Sequence, residues 1–279
     1  MESLLIAGCG YLGSALATLR LAAGDRVFAL RRSASPLPPG VEGLRADLTR
    51  PETLQRLPRV DAVIYTASAA QREDGAYEQA YVVGLRNLLA ALAPTSPRLL
   101  FVSSTAVYAQ QDGSWVDERS VTRPCHFSGR RLLEAEALAH NAPLESCAVR
   151  LAGLYGPGRS GLLERVKRGA APVSPGPPRY TNRIHRDDAA GLLSFLLDLR
   201  VLPECVLGVD CEPAPEELVI RWLVQRLGAP EPPVRAPTPG SRRAGGNRRC
   251  SNRLVREAGY GFSYASFREG YEALLAAEG

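Results

Sequence analysis

The segment SLLIAGCGYLG, Ser3 to Gly13, constrains the fold more than any other stretch. An apolar strand runs into glycine, and Gly8, Gly10 and Gly13 give the spacing GxGxxG. Tyr11 to Ala23 follows with Leu12, Leu16, Leu19 and Ala23 at helical intervals. The motif is weak alone, but a strand before it and a helix after it are the context in which it binds a dinucleotide. Gly8 then makes the tight turn, Gly10 lets backbone approach the pyrophosphate, and Gly13 lets helix close on strand. The helix start offers unpaired N–H groups to phosphate.

The same alternation continues. Arg26 to Leu30, Asp61 to Thr66, Arg98 to Ser104 and Glu145 to Leu151 read as further strands in nearly continuous apolar runs. Helical patterns lie between them at Pro51 to Leu57, Ala76 to Leu92 and Ser128 to His140. This predicts an α/β fold with a doubly wound parallel sheet. Residues 1–155 are expected to form the dinucleotide-binding domain. Residues 156–279 form a smaller, mainly substrate-binding portion, with 183–210 returning to the first domain. Proline and glycine cluster at Pro172 to Pro178 and Pro230 to Gly246, and helical patterns recur at Asp187 to Leu199, Glu216 to Leu227 and Ser266 to Ala277.

Composition narrows the partners. The 279 residues are 45% hydrophobic and 23% charged, with a net charge of +5, as in an ordinary globular protein. Lys167 is the sole lysine among 34 basic residues, and the arginines suit planar phosphate recognition. No basic stripe interleaved with aromatics suggests nucleic acid. The six cysteines form no CxxC pair and the three histidines have no ligand spacing, so no metal site is expected. Reduced thiols point to the cytoplasm, and no apolar run is long enough for a membrane span. Leu5 to Cys9 imitates a lipoprotein box, but the residues before Cys9 carry only an acidic charge, so a buried strand entering a glycine turn explains them better.

The end of the second strand selects the cofactor. NAD binders usually place an acid there for the ribose 2′-OH. This chain reads ALRRS, with Arg31 and Arg32, whose guanidinium groups suit a 2′-phosphate. NADP is therefore expected, with NAD as the alternative. Asp47 either meets the adenine edge or caps the helix near Pro51. Tyr11, Leu12, Leu48, Thr66 and Ala67 complete the candidate cofactor contacts.

GCGYLG, VDAVIYTAS, LLFVSSTAVY, VRLAGLYGPG and RIHRDDAA, in that order, resemble the extended short-chain dehydrogenase/reductases, the NAD-dependent epimerase/dehydratase family. The tail GNRRCSNRLVREAGYGFSYASFREGY resembles the YeeZ-like branch. The resemblance implies oxidoreductase or epimerase chemistry, on a nucleotide sugar or related small molecule, and a homodimer built on Ala76 to Leu92 and Ser128 to His140. It also implies a Ser or Thr after the fifth strand and a Tyr-x-x-x-Lys helix, in which the cation brings the phenol pKa toward neutrality. Ser104 matches the first. The second is absent: SGRRLLEAE places Ser128 and Leu132 at the two positions, and sliding by one places Phe127 and Arg131 there.

Tyr81 stands where the family usually has Asn, and Ser104, Ser128 and Tyr81 become the catalytic candidates. His126 could titrate at the helix start, and Glu118 is either an acid–base group or a solvated carboxylate. Arg150 and Tyr155 fall where the family's substrate portion begins, His185 and Asp187 read as positioning residues, and Arg242, Arg243, Arg248 and Arg249 form either a solvated loop or an anion-binding lid. Two functions stay open: an NADP-dependent enzyme with a degenerate catalytic centre, or a non-catalytic NADP-binding sensor or scaffold.

Overall fold

The computed structural model describes residues 1–93, 95–236 and 246–278. The strands are β1 (Ser3–Ala7), β2 (Arg26–Arg31), β3 (Glu42–Arg45), β4 (Ala62–Tyr65), β5 (Arg98–Ser104), β6 (Trp115–Val116), β7 (Ser146–Leu151), β8 (Gly153–Tyr155), β9 (Tyr180–Thr181), β10 (Arg183–His185), β11 (Cys205–Gly208), β12 (Ala214–Pro215) and β13 (Arg249–Cys250). The helices are α1 (Tyr11–Ala22), α2 (Asp74–Tyr77), α3 (Gly84–Leu92), α4 (Phe127–His140), α5 (Gly161–Lys167), α6 (Arg186–Asp198), α7 (Glu216–Leu227), α8 (Arg253–Glu257) and α9 (Phe267–Glu278).

Seven strands make one parallel sheet in the order β3-β2-β1-β4-β5-β7-β11. The chain winds outward from β1 to β3, then crosses back to β4. The crevice at that reversal lies beyond the carboxyl ends of β1 and β4, where ligands of doubly wound folds bind.

Alternation along each strand feeds two cores. Leu4 and Ile6 face one side, with Leu12, Leu16 and Ala17 of α1 and Leu192, Leu193 and Leu196 of α6. Leu5 and Ala7 face the other, with Leu85 and Leu88 of α3 and Leu132, Ala135 and Ala139 of α4. The sheet is thus covered on both faces, which is why its strands carry no polar alternation. A third core joins α5, α7 and α9 through Leu163, Val166, Ile220, Leu223, Phe267 and Tyr271.

Two helical expectations need correction. Pro51–Leu54 is a short 3-10 turn rather than a helix reaching Leu57. Pro58 follows Leu57 and disfavours helical backbone there. The helix expected from Ala76 begins at Asp74 and is π-helical over Glu78–Val83 before α3.

Candidate functional site

The glycine turn is closed from behind and open in front. Gly8 has φ +86°, and a Cβ there would lie 2.3 Å from the Ala67 Cα. Its N–H donates to the Leu30 carbonyl at 2.9 Å, and the Thr66 hydroxyl donates to its carbonyl at 3.0 Å. A Cβ on Gly13 would sit 2.9 Å from Ile6 Cγ2 and 3.0 Å from Thr66 Oγ1, so α1 rests directly on β1. At Gly10 the nearest atom to a Cβ is the Gly8 carbonyl oxygen at 3.8 Å. No side chain caps α1, so its first N–H groups remain available to an anion. A bare backbone face beside an uncapped helix start fits a pyrophosphate.

This turn floors a cleft of about 720 Å³. Gly8, Gly10, Tyr11, Arg31, Arg32, Asp47, Leu48 and Ala67 all line it. Leu12, Gly13 and Thr66 stand behind that lining and set the turn's shape. Arg31 ends β2 and Arg32 follows it, at the rim beside Ser33 and Ser35. Neither guanidinium forms an ion pair or hydrogen bond among the described residues. Asp47 Oδ1 accepts from the Thr49 N–H at 2.9 Å and the Thr49 hydroxyl at 2.8 Å, so it closes a local turn rather than capping Pro51–Leu54. Burial would raise its pKa, but these bonds and the nearby Arg32 and Arg50 outweigh it and hold the carboxyl below its ordinary value.

The three catalytic candidates lie outside that lining. Ser104 ends β5, and its Oγ accepts from the Ala106 N–H at 3.2 Å. The start of α4 presses on the same turn: a Cβ on Gly129 would meet the Ala106 carbonyl oxygen at 2.5 Å. Ser128 precedes Gly129 and is buried. Tyr81 stacks on Tyr77 at 5.2 Å between ring centroids, and Tyr77 meets Phe127 edge-on at 5.4 Å. Burial, with Tyr77 adding to it and the Ala69 N–H opposing, pushes the Tyr81 phenol up to about 12. Leu132 is buried in the core, so no ammonium replaces the missing lysine. Arg131 does not serve either. Its guanidinium is taken by Asp74 at 2.8 Å, Glu134 at 3.1 Å and Glu78 at 3.4 Å.

Under Ser104 lies a buried polar chain. The Ser103 hydroxyl donates to Glu136, Arg150 forks onto Glu136 at 2.7 Å, and Arg150 Nη1 donates to the Tyr108 oxygen at 2.8 Å. Tyr108 then donates to the Asp117 carbonyl at 2.8 Å. Arg150 therefore fastens β7 to α4 and does not open a substrate portion. Glu118 is not a solvated carboxylate. It is half-buried, accepts the Leu207 N–H at 2.9 Å on the edge strand β11, and burial raises its pKa. His126 stands at the α4 N-cap without a side-chain bond. His185 caps α6 through Asp187 N–H at 3.3 Å, and burial lowers its pKa. Tyr155 packs its ring 4.8 Å from that of Tyr271.

Arg242 and Arg243 lie outside the described residues. Arg248 and Arg249 do not form a solvated loop. β13 pairs with β6, Arg248 Nη2 donates to the Thr105 carbonyl at 2.7 Å, and Arg249 Nε to the Gly113 carbonyl at 2.7 Å. Among the lining residues that sequence reasoning missed, such as Gln79 and Ala80, the charged one is Arg186. It lines the cleft together with the turn; the only signal was its place directly after the β10 segment RIH.

The NAD dependent epimerase/dehydratase family matches residues 4–177. Protein YeeZ of Escherichia coli strain K12 is 33% identical over 212 residues, 71% of this chain and 73% of that protein. A solved structure from Methylobacillus flagellatus, assigned to the NAD-dependent epimerases/dehydratases, superposes with a TM-score of 0.84 at 38% identity, covering 99% of this chain and 98% of that one. The Thermus thermophilus UDP-glucose 4-epimerase in complex with NAD shares the fold, with a TM-score of 0.82 at 22% identity over 97% and 96% of the two chains. With the glycine turn, the seven-stranded sheet and these matches in agreement, the chain belongs to the NAD-dependent epimerase/dehydratase family.

Proposed function

We propose that this protein binds NADPH along the glycine turn and performs oxidoreductase or epimerase-type chemistry on a small molecule, with a nucleotide sugar as the favoured class, through a degenerate catalytic centre. The observation that carries this reading is the pair Arg31 and Arg32, unpaired at the rim of the cleft where an NAD binder presents an acid. Two guanidinium groups there match a 2′-phosphate in charge and planarity. The sugar class is supported by the UDP-glucose 4-epimerase that shares this fold.

The bound nicotinamide would supply or accept hydride. Ser104 keeps its hydroxyl hydrogen while its oxygen accepts from Ala106, so it can donate to a substrate oxygen. Tyr81 is the phenol on the flanking helix. With a pKa pushed up to about 12 and Leu132 at the family's lysine position, it is a poor acid at neutral pH, and turnover is slow. A second reading, a dinucleotide sensor, is favoured by that same buried Leu132.

The test is calorimetry with NADPH and NADH, followed by NADPH oxidation over a panel of nucleotide sugars and simple carbonyls. Tight NADPH binding with slow turnover, lowered further by Tyr81→Phe and untouched by Ser128→Ala, is expected. Binding without turnover on any substrate supports the sensor. Rapid turnover abolished by Ser128→Ala alone would refute the account of the proton donor.

A further inference from the structure

Tyr11 belongs to the glycine turn, and two guanidinium groups from distant parts of the chain lie against its ring. Arg186, the first residue of α6, is 5.4 Å from the ring centroid, and Arg159, in the turn after β8, is 5.8 Å away. Arg186 also lines the dinucleotide cleft. Its Nε donates to Asp187 Oδ1 at 2.7 Å, which leaves Nη1 and Nη2 without a partner among the described residues. Arg159 makes no side-chain hydrogen bond or ion pair there. The Tyr11 hydroxyl is buried and equally unpartnered.

Gly156 fixes this arrangement. It has φ +147°, and a Cβ on it would lie 2.9 Å from the Tyr11 oxygen, 3.1 Å from the Arg186 Cβ and 3.3 Å from His185 Nε2. Only glycine lets the turn that carries Arg159 close so tightly over Tyr11 and the start of α6. Of these groups only the Tyr11 hydroxyl is buried, and buried polar groups are normally satisfied; an orphaned hydroxyl between two guanidinium groups with free donors, on a ligand-binding turn, asks for an anion.

We propose that Arg186 and Arg159 form a cationic clamp for the pyrophosphate of the dinucleotide, facing the N–H groups of α1 across the glycine turn. This rests on the dinucleotide-binding reading above. Pyrophosphate carries two charges, and the helix start meets them from one side only. Guanidinium groups supply directed, charge-assisted bonds from the other. The clamp is distinct from Arg31 and Arg32. Those residues sit at the end of β2 and discriminate NADPH from NADH, whereas the clamp grips what the two cofactors share.

The experiment is calorimetry on the full chain with NADPH, NADH and adenosine 2′-monophosphate, which has the 2′-phosphate but no pyrophosphate. Arg186→Ala and Arg159→Ala are each compared with wild type, and thermal melting confirms that each variant folds. Arg159 is exposed, so its variant keeps the test open if the change at α6 disturbs folding. The expected result is a loss of about tenfold for NADPH and NADH together, with adenosine 2′-monophosphate unchanged. Dinucleotide binding by wild type with unaltered affinity in both variants overturns the clamp alone. So does an equal loss for adenosine 2′-monophosphate. Absence of dinucleotide binding by wild type overturns the parent reading and the clamp with it.

Discussion

Tyr65 donates its phenolic hydrogen to the carbonyl oxygen of Ala80. In an α-helix that carbonyl would accept from Gly84. Instead a buried side chain from β4 takes it, and Glu78–Val83 winds as a π turn, a known cause of a break in the helical ladder. Gly84 is the partner of this insertion, because a Cβ on it would lie 2.6 Å from the Tyr65 oxygen and 3.2 Å from Leu48 Cβ. The relationship reaches the site directly, since Gln79 and Ala80 line the cofactor cleft.

Gly84→Ala should therefore destabilise the fold by about 1–3 kcal/mol, although alanine is the better helix former by about 1 kcal/mol. Urea unfolding measures it. Tyr65→Phe removes the clashing oxygen, so the double variant should lose less than the sum of the two singles, the sign of coupling between neighbours. A Gly84→Ala variant more stable than wild type would contradict this packing account.

Arg31→Asp should reverse the cofactor preference. The substitution removes a cation from the rim and places a carboxylate where the ribose 2′-OH would be met. NADPH affinity should fall about a hundredfold while NADH affinity holds or rises. Calorimetric titration of both cofactors decides it, and equal wild-type affinities for the two would remove the basis of the NADP reading.

The sequence made five strands of the sheet and the cofactor turn legible because each is a local pattern, whereas the short edge strands β3 and β11 were not singled out. An apolar run into GxGxxG dictates strand, turn and helix together, and the Arg98 to Ser104 strand was read to the residue. The missing Tyr-x-x-x-Lys was likewise plain from the single lysine. What could not be read were choices made by distant partners. The π turn depends on Tyr65 meeting Ala80 across 15 positions, Arg248 on a carbonyl 143 positions away, and Glu118 on an edge strand 89 positions later. A charged residue in sequence looks solvated until its partner is known. Arg150, Glu118 and Arg186 all owe their roles to such partners.

The Glu136–Arg150 pair ties α4 to β7, with both side chains about 10% exposed. Removing one member strands the other charge in the interior. Glu136→Leu or Arg150→Met should each cost about 3–5 kcal/mol, and the joint replacement of both should recover most of that loss. Chemical denaturation of the three variants tests it. Additive losses in the double variant would mean that the two groups do not depend on one another.

Asp210 gives the fold a pH dependence of its own. It is 2% exposed, its Oδ2 has no partner among the described residues, and burial pushes its pKa up to about 7 against the opposing Arg183. The unfolded chain releases this proton near the ordinary aspartate value of about 3.9. Between those two values the folded state holds more protons than the unfolded state, so this group's contribution falls as pH rises. It is fully present below about pH 4 and lost as pH climbs through about 7, a change of up to about 4 kcal/mol. Asp210→Asn keeps the shape and cannot ionise. Unfolding in urea from pH 5 to pH 8 should show the variant gaining on wild type steadily until the curves run parallel. A constant stability difference across that range would mean that Asp210 titrates alike in both states.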